Sequence, residues 1–221
     1  MCGRYALFSD PVKIANRLGL ASSPDNWKPR YNIPPGTDIL GVRFSESEDR
    51  AVFDRFWWGY RPHWADHSAP EPINAKAENL ESSRYFRSAF HKHRCLVPAD
   101  GWYEWQPAAG GKQPWFFARA DREPVFLAGI WVIDPKDRPS CAIITEPARG
   151  ASADIHPRMP LTLDDSSLQA WLDPTVQGRD ALRESIDRLE PEALTCWPVS
   201  TAVNRTDNDD AKLVEPLKTG N

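Results

Sequence analysis

The sequence predicts an α+β fold built on a curved, mainly antiparallel sheet with peripheral helices. Three observations lead there. Apolar or alternating runs recur at 38–44, 51–58, 94–98, 101–106, 114–119, 125–133, 140–145 and 194–199, the pattern of half-buried strands. Short turn-like segments separate many of these runs, which favours antiparallel neighbours over long crossovers. Helical periodicity is confined to a few short stretches, so helices are expected at the periphery.

In chain order, residues 10–19 read as a short amphipathic helix: Asp10 can cap, Pro11 suits the first turn, and Gly19 follows the end. The proline-rich residues 21–37 are expected as a fixed loop before the strands at 38–44 and 51–58. A long loop with Pro62, Pro70 and Pro72 then leads to a helix expected over 79–92. The central strands follow, and helical periodicity returns at 164–172 and 178–189 before the last strand. No repeat or low-complexity segment is evident. One domain over 1–206 is expected, with 207–221 a mobile acidic tail.

A chain of 221 residues, 41% hydrophobic and 26% charged, fits an ordinary globular protein with a sizeable core. No run of about 18 apolar residues suggests a membrane span. Arg4, Asp10 and Lys13 interrupt any secretory leader, so a cytoplasmic location is expected. Cys2, Cys95, Cys141 and Cys196 are far apart and form no C-x-x-C pair, which points to reduced thiols. Core packing is the expected role of the last three. The histidines lack structural-zinc spacing, and P-loop and G-x-G-x-x-G motifs are absent, so neither metal nor cofactor is expected.

Net charge is −4, but the acidity is concentrated late: 20 Lys/Arg face 18 Asp/Glu in residues 1–150, against 7 and 13 in 151–221. Between Glu81 and Asp100 there is no acid, while Arg84, Arg87, Lys92 and Arg94 are basic. A local basic groove therefore remains open despite the overall sign.

Removal of Met1 would leave Cys2 with a free α-amine beside its thiol, a 1,2-aminothiol. Their reference pKa values, about 7.7–8.0 and about 8.5, leave both partly nucleophilic near neutrality. Such a pair can condense with an aldehyde and close a thiazolidine; the bland alternative is a chance cysteine in a loose terminus. Glu104 lies in Gly101-Trp102-Tyr103-Glu104-Trp105, where flanking rings would desolvate a carboxylate and raise its pKa, unless it sits on an exposed edge strand. His156 is a proton shuttle or a structural histidine. Asn74 could position a polar intermediate or simply cap a turn. Trp58, Trp64 and the Arg84–Arg94 stretch interleave rings with charge, as a nucleic-acid surface would; core tryptophan beside an amphipathic helix reads equally from composition.

The ordered motifs M-C-G-R-Y at 1–5, N-x-P at 32–34, W-G-x-x-P-x-W at 58–64, N-A-K-A-E at 74–78, G-W-Y-E-W at 101–105, H-x-R-M-P at 156–160 and V-S-x-x-V-N at 199–204 span nearly the whole chain. Together they closely resemble the SOS response-associated peptidase (SRAP) family, the abasic-site processing proteins. The resemblance implies a barrel-like sheet in a single domain, a monomer, and covalent capture of abasic sites in single-stranded DNA. It implies Cys2 as the crosslinking residue, with Asn74, Glu104 and His156 at the other active-site positions. Arg4, Trp58, Lys76 and Arg158 match positions at or beside DNA, with Trp64 and Arg84 added from the aromatic and basic pattern. Lys76 departs from the arginine more usual in the family, which would lose bidentate phosphate binding. Two other readings stand beside it: an N-terminal-nucleophile cysteine peptidase using the same residues, with self-directed cleavage, and a non-catalytic reader of damaged single strands using the tryptophans and basic stretch alone.

Overall fold

The computed structural model describes residues 2–24, 26–66 and 68–217. Met1, His67 and residues 218–221 of the expected tail lie outside them. In chain order the strands are β1 (Tyr5–Leu7), β2 (Arg30–Ile33), β3 (Asp38–Ser45), β4 (Arg50–Trp58), β5 (Asn74–Lys76), β6 (Arg94–Ala99) and β7 (Gly101–Ala108). They continue with β8 (Gly111–Arg119), β9 (Val125–Ile133), β10 (Pro139–Pro147), β11 (Arg158–Pro160), β12 (Thr162–Leu163) and β13 (Leu194–Pro198). The α-helices are α1 (Pro11–Leu18), α2 (Arg87–Lys92), α3 (Leu168–Leu172) and α4 (Arg179–Ser185).

The larger sheet closes on itself. Strands β10, β4, β3, β6 and β9 are successive neighbours, and β9 pairs back to β10. This is the α+β, barrel-like architecture expected of the family. Each junction of the ring is antiparallel except β4–β10, and the short β5 extends that parallel edge along β10. Ring closure removes exposed strand edges that would otherwise template aggregation.

The smaller sheet runs β13-β8-β7-β1-β2. Its alternating side chains divide between two cores, as period-two geometry requires. Tyr5, Trp102 and Phe117 join the main core with Phe56, Leu96 and Ile130. Ala6, Tyr103 and Phe116 face the other way and pack with Val203 and Leu213 near the C-terminus.

Several expectations need correction. The helix expected over 79–92 is a 3-10 turn at Ala77–Asn79 followed later by α2. Ser83 intervenes: its hydroxyl accepts from the Tyr85 amide and its carbonyl from those of Phe86 and Arg87, local bonds that compete with a continuous helix. The loop expected over 21–37 contains β2, which exists because β1 pairs with it. Residues 207–217 form no mobile tail. Leu213 is buried, Asp209 accepts from the amides of Tyr31 and Asn32, and the Trp197 indole donates to the Val214 carbonyl at 2.8 Å. One buried leucine and paired backbone groups dock this acidic segment despite its charge.

Helix α1 forms as its residues dictate. The Asp10 carboxylate accepts from the Val12 amide at 2.8 Å, Pro11 occupies the first turn, and Gly19 closes the helix at φ 63°. No helix among the described residues is long and apolar enough to cross a membrane.

Candidate active site

The N-terminal segment is held as an ordered strand. In β1, Tyr5 pairs with Trp102 and Ala6 with Gly101, and the Arg4 carbonyl accepts from the Tyr103 amide at 2.9 Å. The same antiparallel direction carries Cys2 along β7 past Glu104. Asp100 locks the far end of the segment, accepting from the amides of Phe8 at 2.6 Å and Ser9 at 2.7 Å.

Cys2 is fully buried. Its carbonyl accepts from the Asn74 side-chain amide at 3.0 Å. Burial and then the charge of Glu104 push its thiol pKa up, opposed in part by the Arg4 backbone amide. Asn74 begins β5 and is positioned by parallel pairing with Ile143 of β10.

Glu104 is buried on the same side of β7 as Trp102, and burial pushes its pKa up to about 7. Its Oε2 lies 3.8 Å from His156 Nδ1. His156 follows a 3-10 turn at Gly150–Asp154 and precedes β11. The Arg158 amide lies 3.0 Å from His156 Nδ1 and the Arg158 carbonyl 2.9 Å from it, so the main chain of Arg158 fixes this ring in either tautomer. Burial lowers the pKa of His156, which favours the neutral ring near pH 7. Cys2, Asn74, Glu104 and His156, far apart in sequence, thus converge from the terminus, β5, β7 and the turn before β11.

The residues expected at a nucleic-acid surface separate into three groups. Lys76, Trp64 and Arg84 are exposed; Trp64 is 60% exposed, with the Arg84 guanidinium 5.9 Å from its ring centre. The loop carrying Trp64 leads into Asn74 at the start of β5. Arg4 and Arg158 are already engaged: Arg4 donates to Asn32 Oδ1 at 2.7 Å and to the Val203 carbonyl at 2.9 Å, and Arg158 pairs with Glu78. Trp58 is no stacking platform. It is fully buried, donates to the Ile73 carbonyl at 2.9 Å, and meets Tyr5 edge-on. Arg94 likewise leaves the basic surface: its guanidinium is buried on the carbonyls of Phe90, His91, Trp171, Asp173 and Val176. Cys95 and Cys141 are core residues, whereas Cys196 is only half-buried.

Sequence reasoning missed the hub that holds the terminus. Asn32 accepts from Arg4 and donates Nδ2 to the carbonyls of Val203, Arg205 and Asn208 at 3.2, 3.0 and 2.8 Å. Trp105 donates to Asn204 Oδ1 at 2.7 Å. The motifs containing Asn32, Val203 and Asn204 were visible; that they meet was not. Among the described residues no group of three or more His, Cys, Asp or Glu is placed to hold a metal ion.

The sequence pattern of a family described as SOS response associated peptidase (SRAP) matches residues 1–206. The chain belongs to the SRAP family. Abasic site processing protein YedK of Escherichia coli (strain K12) is 36% identical over 227 residues, covering 98% of this chain and 100% of that protein. Abasic site processing protein HMCES of Gallus gallus is 29% identical over 273 residues, covering 100% of this chain and 79% of that protein. Among solved structures, a phage-related protein from Bordetella bronchiseptica matches at TM-score 0.75 and 32% identity, over 90% of this chain and 95% of that one. A Bacteroides thetaiotaomicron protein shares the fold at TM-score 0.83 and 20% identity, over 97% and 99% of the two chains. The SRAP fold therefore encloses the converged Cys2, Asn74, Glu104 and His156.

Proposed function

We propose that this SRAP protein processes abasic sites in single-stranded DNA by covalent capture at Cys2, after removal of Met1. The observation that supports this best is the hold on Cys2: its carbonyl on Asn74, with Glu104 beside it at a pKa of about 7. A buried terminus next to a carboxyl group that readily exchanges protons suits carbonyl condensation. The names of the YedK and HMCES relatives point the same way.

The Cys2 amine adds to the aldehyde of the opened abasic sugar, and water leaves to give an imine. The Cys2 sulfur then adds to the imine carbon, its proton passing to nitrogen, and a thiazolidine closes. Glu104 takes a proton from the attacking amine and returns one to the departing water. Neutral His156 holds a sugar hydroxyl, and Asn74 keeps the terminus in place. Lys76, Arg158, Trp64 and Arg84 serve the flanking strand through phosphate and base contacts. A single strand is the target because its lesion enters a pocket without unpairing a duplex. Peptide hydrolysis by a Cys2 thiolate is less favoured, because burial and Glu104 both raise the thiol pKa.

Incubation with a single strand bearing one abasic site tests the reading. Wild type forms an adduct that survives heat and denaturant, and Cys2→Ala forms none. Cys2→Ser, like Cys2→Ala, keeps the amine but not the thiol and yields only an imine trapped by reductant. Full, hydrolysis-stable crosslinking by either variant contradicts the proposal. Salt-sensitive binding without any adduct would leave only a non-covalent reader.

A further inference from the structure

Arg158 lies beside the candidate chemistry, since its main chain holds the His156 ring. Its side chain, however, is not a free cation. Nη1 donates to Glu78 Oε1, and Nη2 donates to Glu78 Oε2 at 2.9 Å and to the Thr145 carbonyl. Nε is buried and has no hydrogen-bond partner among the described residues. The guanidinium fork is therefore filled, with its third edge closed to solvent.

The two partners reach each other across β10. Glu78 comes from the 3-10 turn after β5, and Arg158 begins β11; these strands flank β10 on opposite sides. The Glu78 side chain is 45% exposed against 15% for Arg158, so the carboxylate sits on the solvent side of the guanidinium. A carboxylate and a phosphate present comparable oxygen pairs to an arginine fork. Glu78 thus occupies the place an oxyanion ligand would take, with exposed Lys76 two residues away. The hydrogen bonds from Arg158, with a smaller contribution from Lys76, hold the Glu78 carboxyl down to about 2, so it remains an anion at any working pH.

We propose that Glu78 is a resident counter-ion which a DNA backbone phosphate must displace from Arg158. The inference rests on the reading of this face as DNA-binding. A phosphate approaching while Glu78 remains would place two anions on one guanidinium whose outward fork is already filled. Exchange keeps the fork satisfied throughout, and the displaced carboxylate passes into water near Lys76. It also alters the ion balance: the phosphate releases a condensed cation, but freed Glu78 attracts one. Net salt sensitivity is then lower than a count of basic residues implies.

The test measures affinity against salt for a single strand carrying a tetrahydrofuran abasic analogue, which cannot react with an amine. Binding is compared for wild type, Glu78→Gln, Arg158→Gln and the double variant, with thermal melting as a check on folding. Glu78→Gln is expected to bind about threefold more tightly at low salt, the scale of a modest ion pair. Its salt slope should steepen by about 0.7, one uncompensated phosphate contact on a single strand. Arg158→Gln should weaken binding, and Glu78→Gln should add nothing in its background. Weaker or unchanged binding by Glu78→Gln, while Arg158→Gln binds less well, would make Glu78 a brace and overturn the exchange. If DNA binds but neither single variant alters affinity, no phosphate sits at Arg158 and the exchange is again refuted, with DNA binding intact elsewhere. Absence of wild-type binding would instead refute the DNA reading and, with it, the exchange.

Discussion

Glu104 holds its proton at a pH where an exposed glutamate has long since lost it. Burial raises its pKa from the usual carboxylate range to about 7, so acid and base forms coexist near neutrality. Glu104→Gln should therefore slow adduct formation and remove a rate inflection near pH 7; equal pH profiles for the two proteins would exclude proton transfer by Glu104. Stability carries the same signature. The folded state binds more protons than the unfolded state between about 4.5 and 7, so stability falls as pH rises through that window. Above it, Glu104→Gln should be the more stable protein, by on the order of 1–3 kcal/mol, with the gap closing toward acid pH. Urea melts at pH 4 and pH 8 measure this directly. Residue types alone did not reveal which rings were exposed. Trp58 and Trp64 sit in one short motif, yet one is buried and the other is 60% exposed. Trp58 is held inward by the Ile73 carbonyl and the Tyr5 ring, contacts that follow no local period.

At the scale of elements, the geometry of the site depends on β1, a strand of three residues. Gly101, which pairs with Ala6 of β1, is also where the backbone of β7 lies very close to β8. A Cβ there would lie 2.2 Å from the Phe117 carbonyl and 2.4 Å from the Phe116 ring. Gly101→Ala should cost about 1–3 kcal/mol through overpacking and displace β1. The expected readouts are a lowered denaturant midpoint and slower adduct formation; an unchanged midpoint would refute the close-packing argument. Long strands were legible because their apolar runs record burial: β9 spans 125–133 as its pattern predicts. The short β1, β2, β5 and β11 were not legible. Each exists through pairing with a distant partner, and three or four residues hold too little periodicity to announce that partner.

At the scale of the molecule, the ring of strands provides a closed support and the smaller sheet a second layer. Two segments far apart in sequence meet at Asn32, which binds Arg4 on one side and three carbonyls of residues 203–208 on the other. Asn32→Ala would leave those carbonyls and Arg4 short of partners, at a cost of about 2–4 kcal/mol. Crosslinking should fall further than DNA affinity, because the variant disturbs the terminus more than the strand-binding surface. Equal losses of both would place Asn32 in DNA binding instead. The order of motifs revealed the family and the site residues that converge. It did not reveal the packed segment at 207–217, whose acidic composition concealed a single buried leucine and a set of backbone acceptors.

That meeting of distant segments has a consequence for timing. An exposed aminothiol is a scavenger, open to any stray aldehyde in the cell. Here the residues that seat it include Val203, which lies 199 residues beyond Arg4. The segment carrying Cys2 is therefore seated by a stretch translated long after it, and a copy lacking residues 203–208 would carry the same chemical group without its address.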